Sequence, residues 1–203
     1  MLRQLVFTVC VLGVAAPVAT AQDVQAIDSA KALKIAKLAV EATSGLNLPI
    51  DVAPKIERAT GIEGDKRAAL LIPDANFSPE SITGLRDGEI VSVGMLLTHR
   101  LSPLVVERAI PASRQLQIDV AEGEQRATIS VWLVGLAKVA GQPALLLYGN
   151  APSPVIVTTL VESEKSRDGV LMIDVERSGD QRAAFVFTVA GTHRAAIHVT
   201  GQD

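Results

Sequence analysis

The chain has 203 residues, of which 48% are hydrophobic and 20% charged, and its formal net charge is −3. That length suffices to bury a sizeable core, and the weak acidity argues against nucleic acid or an anionic membrane surface as a partner. One Trp, one Tyr and four Phe are too few for the aromatic platforms that stack sugars or single-stranded bases.

Met1–Ala21 has the pattern of a secretory signal peptide: Arg3 near the start, an uncharged apolar run from Leu5 to Ala16, and small residues at Ala19 and Ala21 where a signal peptidase cuts. A membrane anchor would need about 20 apolar residues, and Pro17 interrupts this run first. Cleavage after Ala21 therefore leaves no integral membrane anchor. The single cysteine, Cys10, leaves with the leader, so the mature chain holds neither a disulfide nor a thiolate site. A bacterial periplasm or the cell exterior suits a chain of this size that is stabilised without disulfides.

Residues 22–60 form a helical segment and connector. Asp28 to Ser44 has the spacing of a helix, with the Asp28 carboxylate as its N-cap and Gly45 as its stop. Lys31, Lys34, Lys37 and Glu41 mark a solvated stripe, and the wide apolar remainder must pack on something. Pro49 and Pro54 make Leu46–Thr60 a connector. A second, short helix is expected over Pro79–Leu85, with Ser78 as its cap.

Residues 61–203 read as a β-rich domain. Strands are expected at Ala68–Ile72, Glu89–Thr98, Gln115–Ala121, Ala127–Lys138, Pro143–Tyr148, Val155–Val161, Val170–Val175, Ala183–Val189 and Arg194–Val199. Each is rich in Val, Ile, Leu or Phe and bounded by Gly, Pro, Asp or Ser. Two stretches are similar: Leu116 to Ala127 and Leu171 to Ala183, each followed by an apolar strand and Val-Ala-Gly. They define two repeated three-strand meanders, 111–150 and 170–203, with chance similarity among Val- and Ala-rich hairpins as the plainer alternative. A fainter echo is Gly64-Asp65-Lys66-Arg67-Ala68. These charged segments read as hairpin turns, since they lack the glycine run and following helix of a phosphate loop.

The last strand pair, Phe185-x-Phe187-x-Val189-Ala-Gly191-Thr-His193 through Val199, resembles the closing pair of an immunoglobulin-like domain, with His193 where such domains place a corner tyrosine. The resemblance implies architecture only. The expected fold is mainly β (α+β): an N-terminal helix packed on a predominantly antiparallel β domain, an immunoglobulin-like sandwich. Val155–Val161 and Arg194–Val199 are its expected edge strands.

Chemistry-bearing residues are sparse. His193 and His198 are five apart on one strand and point to opposite faces, and His99 comes from a distant segment. Asp51, Asp119 and Asp174 each stand between Ile and Val, and alternation turns them toward solvent. The tripeptide Thr-His-Arg occurs twice, as Thr98-His99-Arg100 and Thr192-His193-Arg194. Two such corners could share an anion, because an Arg guanidinium clamps a carboxylate or phosphate bidentately; coincidence or a shared turn preference is the plainer explanation of the recurrence. No G-x-S-x-G or H-E-x-x-H motif occurs.

The resulting expectation is an exported bacterial envelope protein that acts as a non-catalytic binding or assembly module, with another envelope protein or assembly as partner and no cofactor. The alternative is an exported hydrolase using His99 with a nearby carboxylate such as Asp74. An apolar-ligand carrier is a third reading, which requires a cavity between helix and sheet. Expressed with its leader in a bacterial host, the chain is expected in the periplasm with Gln22 as its first residue. An intact mass that still includes Met1–Ala21 is the contrary outcome.

Overall fold

A computed structural model describes residues 24–64, 66–164, 166–177 and 183–202; the segment expected to be a leader, Met1–Ala21, lies outside them. In chain order the elements are β1 (Gln25–Ala26), α1 (Ser29–Thr43), β2 (Thr60–Gly64), β3 (Arg67–Pro73), α2 (Glu80–Thr83), β4 (Val91–His99), β5 (Leu101–Val105), β6 (Arg108–Ala109), β7 (Leu116–Glu122), β8 (Gln125–Val139), β9 (Gln142–Tyr148), β10 (Ile156–Thr159), β11 (Val161–Glu162), β12 (Leu171–Arg177), β13 (Ala183–Val189) and β14 (His193–Gly201). The fold is mainly antiparallel β in two sheets, with few helices.

Helix α1 starts where the sequence indicates. The Asp28 carboxylate accepts the Ala30 and Lys31 backbone N–H groups at 2.9 and 3.2 Å, satisfying donors that the first turn leaves open. Gly45 follows the end of the helix with φ +83°. The second helix is shorter than expected and begins after Pro79, and the Ser78 side chain does not cap it. Instead the Ser78 N–H donates to Ser81 Oγ at 3.2 Å.

The first sheet runs β1-β2-β3-β4-β8-β9-β10, with β7 also on β8. Strand β8 organises it. One of its edges pairs with β4; along the other edge lie β7, opposite residues 125–131, and then β9, opposite residues 133–139. The two end to end strands meet at Gly149, where a Cβ would collide with the Arg114 carbonyl. The second sheet runs β12-β13-β14-β5-β6, with β11 also on β14. The segments 111–150 and 170–203 are therefore laid out differently: β13 lies between β12 and β14, whereas β8 holds β7 and β9 on a single edge.

The sheets are joined by strands that change sheet. β4 belongs to the first sheet and β5 to the second, with Arg100 between them at φ +53°. The strand expected over Val155–Val161 divides in the same way. β10 pairs with β9, β11 pairs with β14, and the Leu160 between them is buried. Such bends build the corners of sandwiches whose sheets share strands. β10 is a sheet edge as expected. The last strand is not: β14 is interior, with β13 on one side and β5 and β11 on the other.

The first sheet is covered on both faces. Its inner face packs on the second sheet through Trp132, Leu96, Val134, Leu147, Phe185 and Phe187, and the Trp132 indole N–H donates to Thr98 Oγ1 at 3.0 Å. Its outer face packs Leu70, Ile72, Met95, Val131 and Leu133 against α1. The helix presents Ala32, Ala36, Ala39 and Thr43, all buried, at spacings of four, three and four that align on one face. Small side chains bring the helix axis close to the sheet, leaving no slack for a larger one. Ala36→Leu is expected to cost about 1–3 kcal/mol of stability by overpacking, measured as a lowered urea midpoint. Lys37→Leu, on the exposed side, serves as the control.

Candidate functional site: a groove between helix and sheet

Beside the alanine stripe, the neighbouring residues of α1 are only partly buried. Ile35 and Leu38 overhang a groove of about 1040 Å³ whose floor is Leu70 of β3, Leu97 of β4 and Ile129 of β8. These three strands are adjacent, with Leu70 opposite Leu97 and Leu97 opposite Val131. The volume is at the upper end of ordinary ligand sites, roughly 300–1,000 Å³.

Three chain reversals close one end of the groove. The β2–β3 hairpin contributes Gly64, Lys66 and Arg67; the β4–β5 corner contributes His99 and Arg100; the β7–β8 hairpin contributes Arg126 and Ala127. Glycine sets the tight geometry of the last hairpin, Gly123 having φ +60°. Lys31, near the start of α1, also lines the groove and donates to Glu63 Oε2 at 2.5 Å. The His99 ring is held by the contact of Nδ1 with the Thr128 carbonyl at 3.3 Å; a carbonyl only accepts, so Nδ1 carries the hydrogen. Arg67 lies against Gly201 of β14, where a Cβ would occupy the space of its guanidinium.

Of the residues singled out in the sequence, His99 and Arg100 line this groove, and His193 and Arg194 do not. Leu101 pairs with Gly201, whereas His193 begins the same strand eight residues earlier, a separation of about 26 Å at ~3.3 Å per residue. His193 Nδ1 meets Thr192 Oγ1 at 3.0 Å, and the Arg194 guanidinium donates to Glu176 Oε1 at 2.7 Å. The two Thr-His-Arg corners thus form no shared anion site.

Asp74 is also remote from His99. His99 pairs with Ala68, whereas Asp74 follows Pro73, which pairs with Gly94; five residues of strand separate the two levels, about 16 Å. Asp74 is buried and accepts the backbone N–H groups of Ala53 and Asn76 at 2.9 and 2.8 Å. It ties the connector to the end of β3. Ser102 is buried too, its hydroxyl donating to the Pro103 carbonyl at 3.2 Å. Among the described residues no three His, Cys, Asp or Glu side chains gather as metal ligands, and no helix is long and apolar enough to cross a membrane. Two groups outside the groove have displaced pKa values: burial raises the Tyr148 phenol, and a hydrogen bond from Ser78 lowers the Glu80 carboxyl.

Reading residues singly does not mark Arg67 and Arg126 as groove residues, because each looks like an exposed turn charge. The signal that carries them is the echo between Gly64-Asp-Lys-Arg-Ala68 and Gly123-Glu-Gln-Arg-Ala127. Both copies line the same groove, with Ala68 and Ala127 on its face of the sheet and Arg67 and Arg126 alternating to the other. No family model matches this chain, and no curated protein or solved structure matches it. Asp74→Ala is expected to lose about 1–3 kcal/mol, because the Ala53 and Asn76 backbone N–H groups lose a charged acceptor. A thermal or urea melt measures that loss; an unchanged melt would remove Asp74 from its structural role.

Proposed function

We propose that the chain is an exported bacterial envelope protein acting as a non-catalytic binding module, and that the groove beside α1 is its binding site. The observation that carries this reading is the groove itself: an apolar floor of Leu70, Leu97 and Ile129 beneath Ile35 and Leu38, opening onto cationic turns. An apolar pocket with a few polar groups converging on it is the usual form of a small-ligand site. Export is supported by Met1–Ala21 and by a mature sequence without cysteine. The hydrolase alternative loses support from the separation of His99 and Asp74 along β3 and β4. The immunoglobulin-like reading of the sandwich rests on the β13–β14 hairpin alone, with His193 where the corner aromatic stands.

The neutral apolar dye N-phenyl-1-naphthylamine tests the groove without any charge contribution. The mature chain is expected to bind it with enhanced fluorescence. Leu38→Gln should weaken binding by about tenfold, as expected from losing part of a leucine's ~1.5–3 kcal/mol of burial. Absence of dye binding, or equal binding by the variant, would count against the site. Turnover of simple ester substrates that His99→Ala abolishes would instead favour the hydrolase.

A further inference from the structure

We propose that two copies of this chain pair through the edge strand β10, antiparallel about a two-fold axis that passes beside Thr158. No residue of β10 lines the groove, so this pairing stands apart from the ligand site.

Sheet edges invite further strands, and proteins usually blunt them with charge or by keeping them short. The two sheets end on β1, β10, β12 and β6. β1 and β6 have two residues each, and β12 carries Asp174, Glu176 and Arg177. β10 is longer than the first two and lacks the charge of the third. Its sequence is Ile-Val-Thr-Thr, and no residue from Val139 to Val161 is charged. Val157 is 50% exposed, and Thr159 is exposed as well. A chain of net charge −3 repels its own copies in most orientations. An uncharged edge lets two of them meet without opposing like charges, which favours a second copy as the partner.

The existing ladder sets the register. The Leu160 N–H donates to the Pro143 carbonyl, and Thr158 and Ile156 lie opposite Leu145 and Leu147. Alternate residues of an antiparallel strand turn their backbone groups to the same side. Ile156, Thr158 and Leu160 therefore face β9, and Val157 and Thr159 direct their N–H and C=O groups to the open edge. On either side of them the chain is already bonded: the Val155 N–H donates to the Leu147 carbonyl, and Val161 pairs with Arg194 of β14. Setting Val157 of each copy opposite Thr159 of the other joins every free group in mutual N–H···O=C bonds. Centring the pair on Val157 or Thr159 would leave the other facing Val155 or Val161. The chosen register sets β-branched side chains against each other and Thr158 beside its symmetry mate, pairings that stabilise a sheet. The same patch serves both copies, as a two-fold contact requires.

Sedimentation of the mature chain over a concentration series tests the proposal. The contact is small, so a reversible dimer of the weak class is expected. Val157→Lys/Thr159→Lys sets like charges opposite each other and should weaken dimerisation by about tenfold. The monomer's melting temperature should not change, because both side chains are exposed. Val157→Lys/Thr159→Glu sets opposite charges in the same places and should restore the dimer. Engineered cysteines locate the axis, since the mature sequence has no thiol of its own. Residues of a non-hydrogen-bonded pair lie about 4.5 Å apart at Cα, within disulfide reach. Thr158→Cys should therefore form a disulfide-linked dimer with oxidised glutathione. Val106→Cys, at an 88% exposed position outside this edge, should link far more slowly. A chain that stays monomeric throughout overturns the self-pairing and leaves the edge to a strand of a different protein. Dimerisation that the double-lysine variant does not weaken, or equal linking at the two cysteine positions, overturns β10 as the contact.

Discussion

The first sheet has to be buried on both of its faces, and the rest of the molecule is arranged to meet that demand. Its strands carry consecutive apolar residues, as in Leu70-Leu71-Ile72 and Val131-Trp132-Leu133-Val134. Alternate members of these runs face opposite ways, so a single covering layer would leave half of them in water. The second sheet covers one face and α1 the other. Each fully buried aliphatic side chain is worth about 1.5–3 kcal/mol, so stripping α1 from its face would expose several such contributions at once. The helix is thus part of the core, and the groove lies beside it.

That dependence explains which parts of the fold were legible in the sequence. Helix α1 was legible because Asp28, the lysine spacing and Gly45 all act locally. Strands β3, β4, β8, β9, β12 and β13 were legible from their apolar content, to within a few residues at each end. Strand β2 was missed: Thr60-Gly-Ile-Glu-Gly64 has two glycines and the composition of a turn, and it is a strand because Gly61 lets Ile27 and the β3 backbone approach closely. The break at Leu160 was also missed, because a strand that changes sheet keeps its extended backbone and its apolar composition. Only the partner strand changes, and a partner more than thirty residues away in β14 leaves no local trace.

The site was legible in pieces. His99 and Arg100 drew notice as half of a repeated tripeptide, but the other half, His193 and Arg194, belongs to the far end of β14. The repetition that mattered spatially was the weaker one, Arg67-Ala68 with Arg126-Ala127. It follows from two hairpins whose strands, β3 and β8, flank β4: Ala68 is opposite His99, and the His99 ring reaches the Thr128 carbonyl. Hairpin turns are solvated, so charge there carries no information until the sheet aligns them. The apolar residues of the groove, Ile35 and Leu38, are indistinguishable in sequence from the buried positions of the same helix.

The pairing of Leu101–Pro103 with Val199–Gly201 has a temporal consequence. Apart from its short hairpin with β6, the strand that turns the corner at Arg100 has no partner until residues 199–201 of β14 have been synthesised. Contacts of such long sequence separation carry a loop-closure cost before they return any stabilisation, and they slow folding. The sandwich therefore cannot close on a growing N-terminal fragment, however early α1 and the β2–β3 hairpin form.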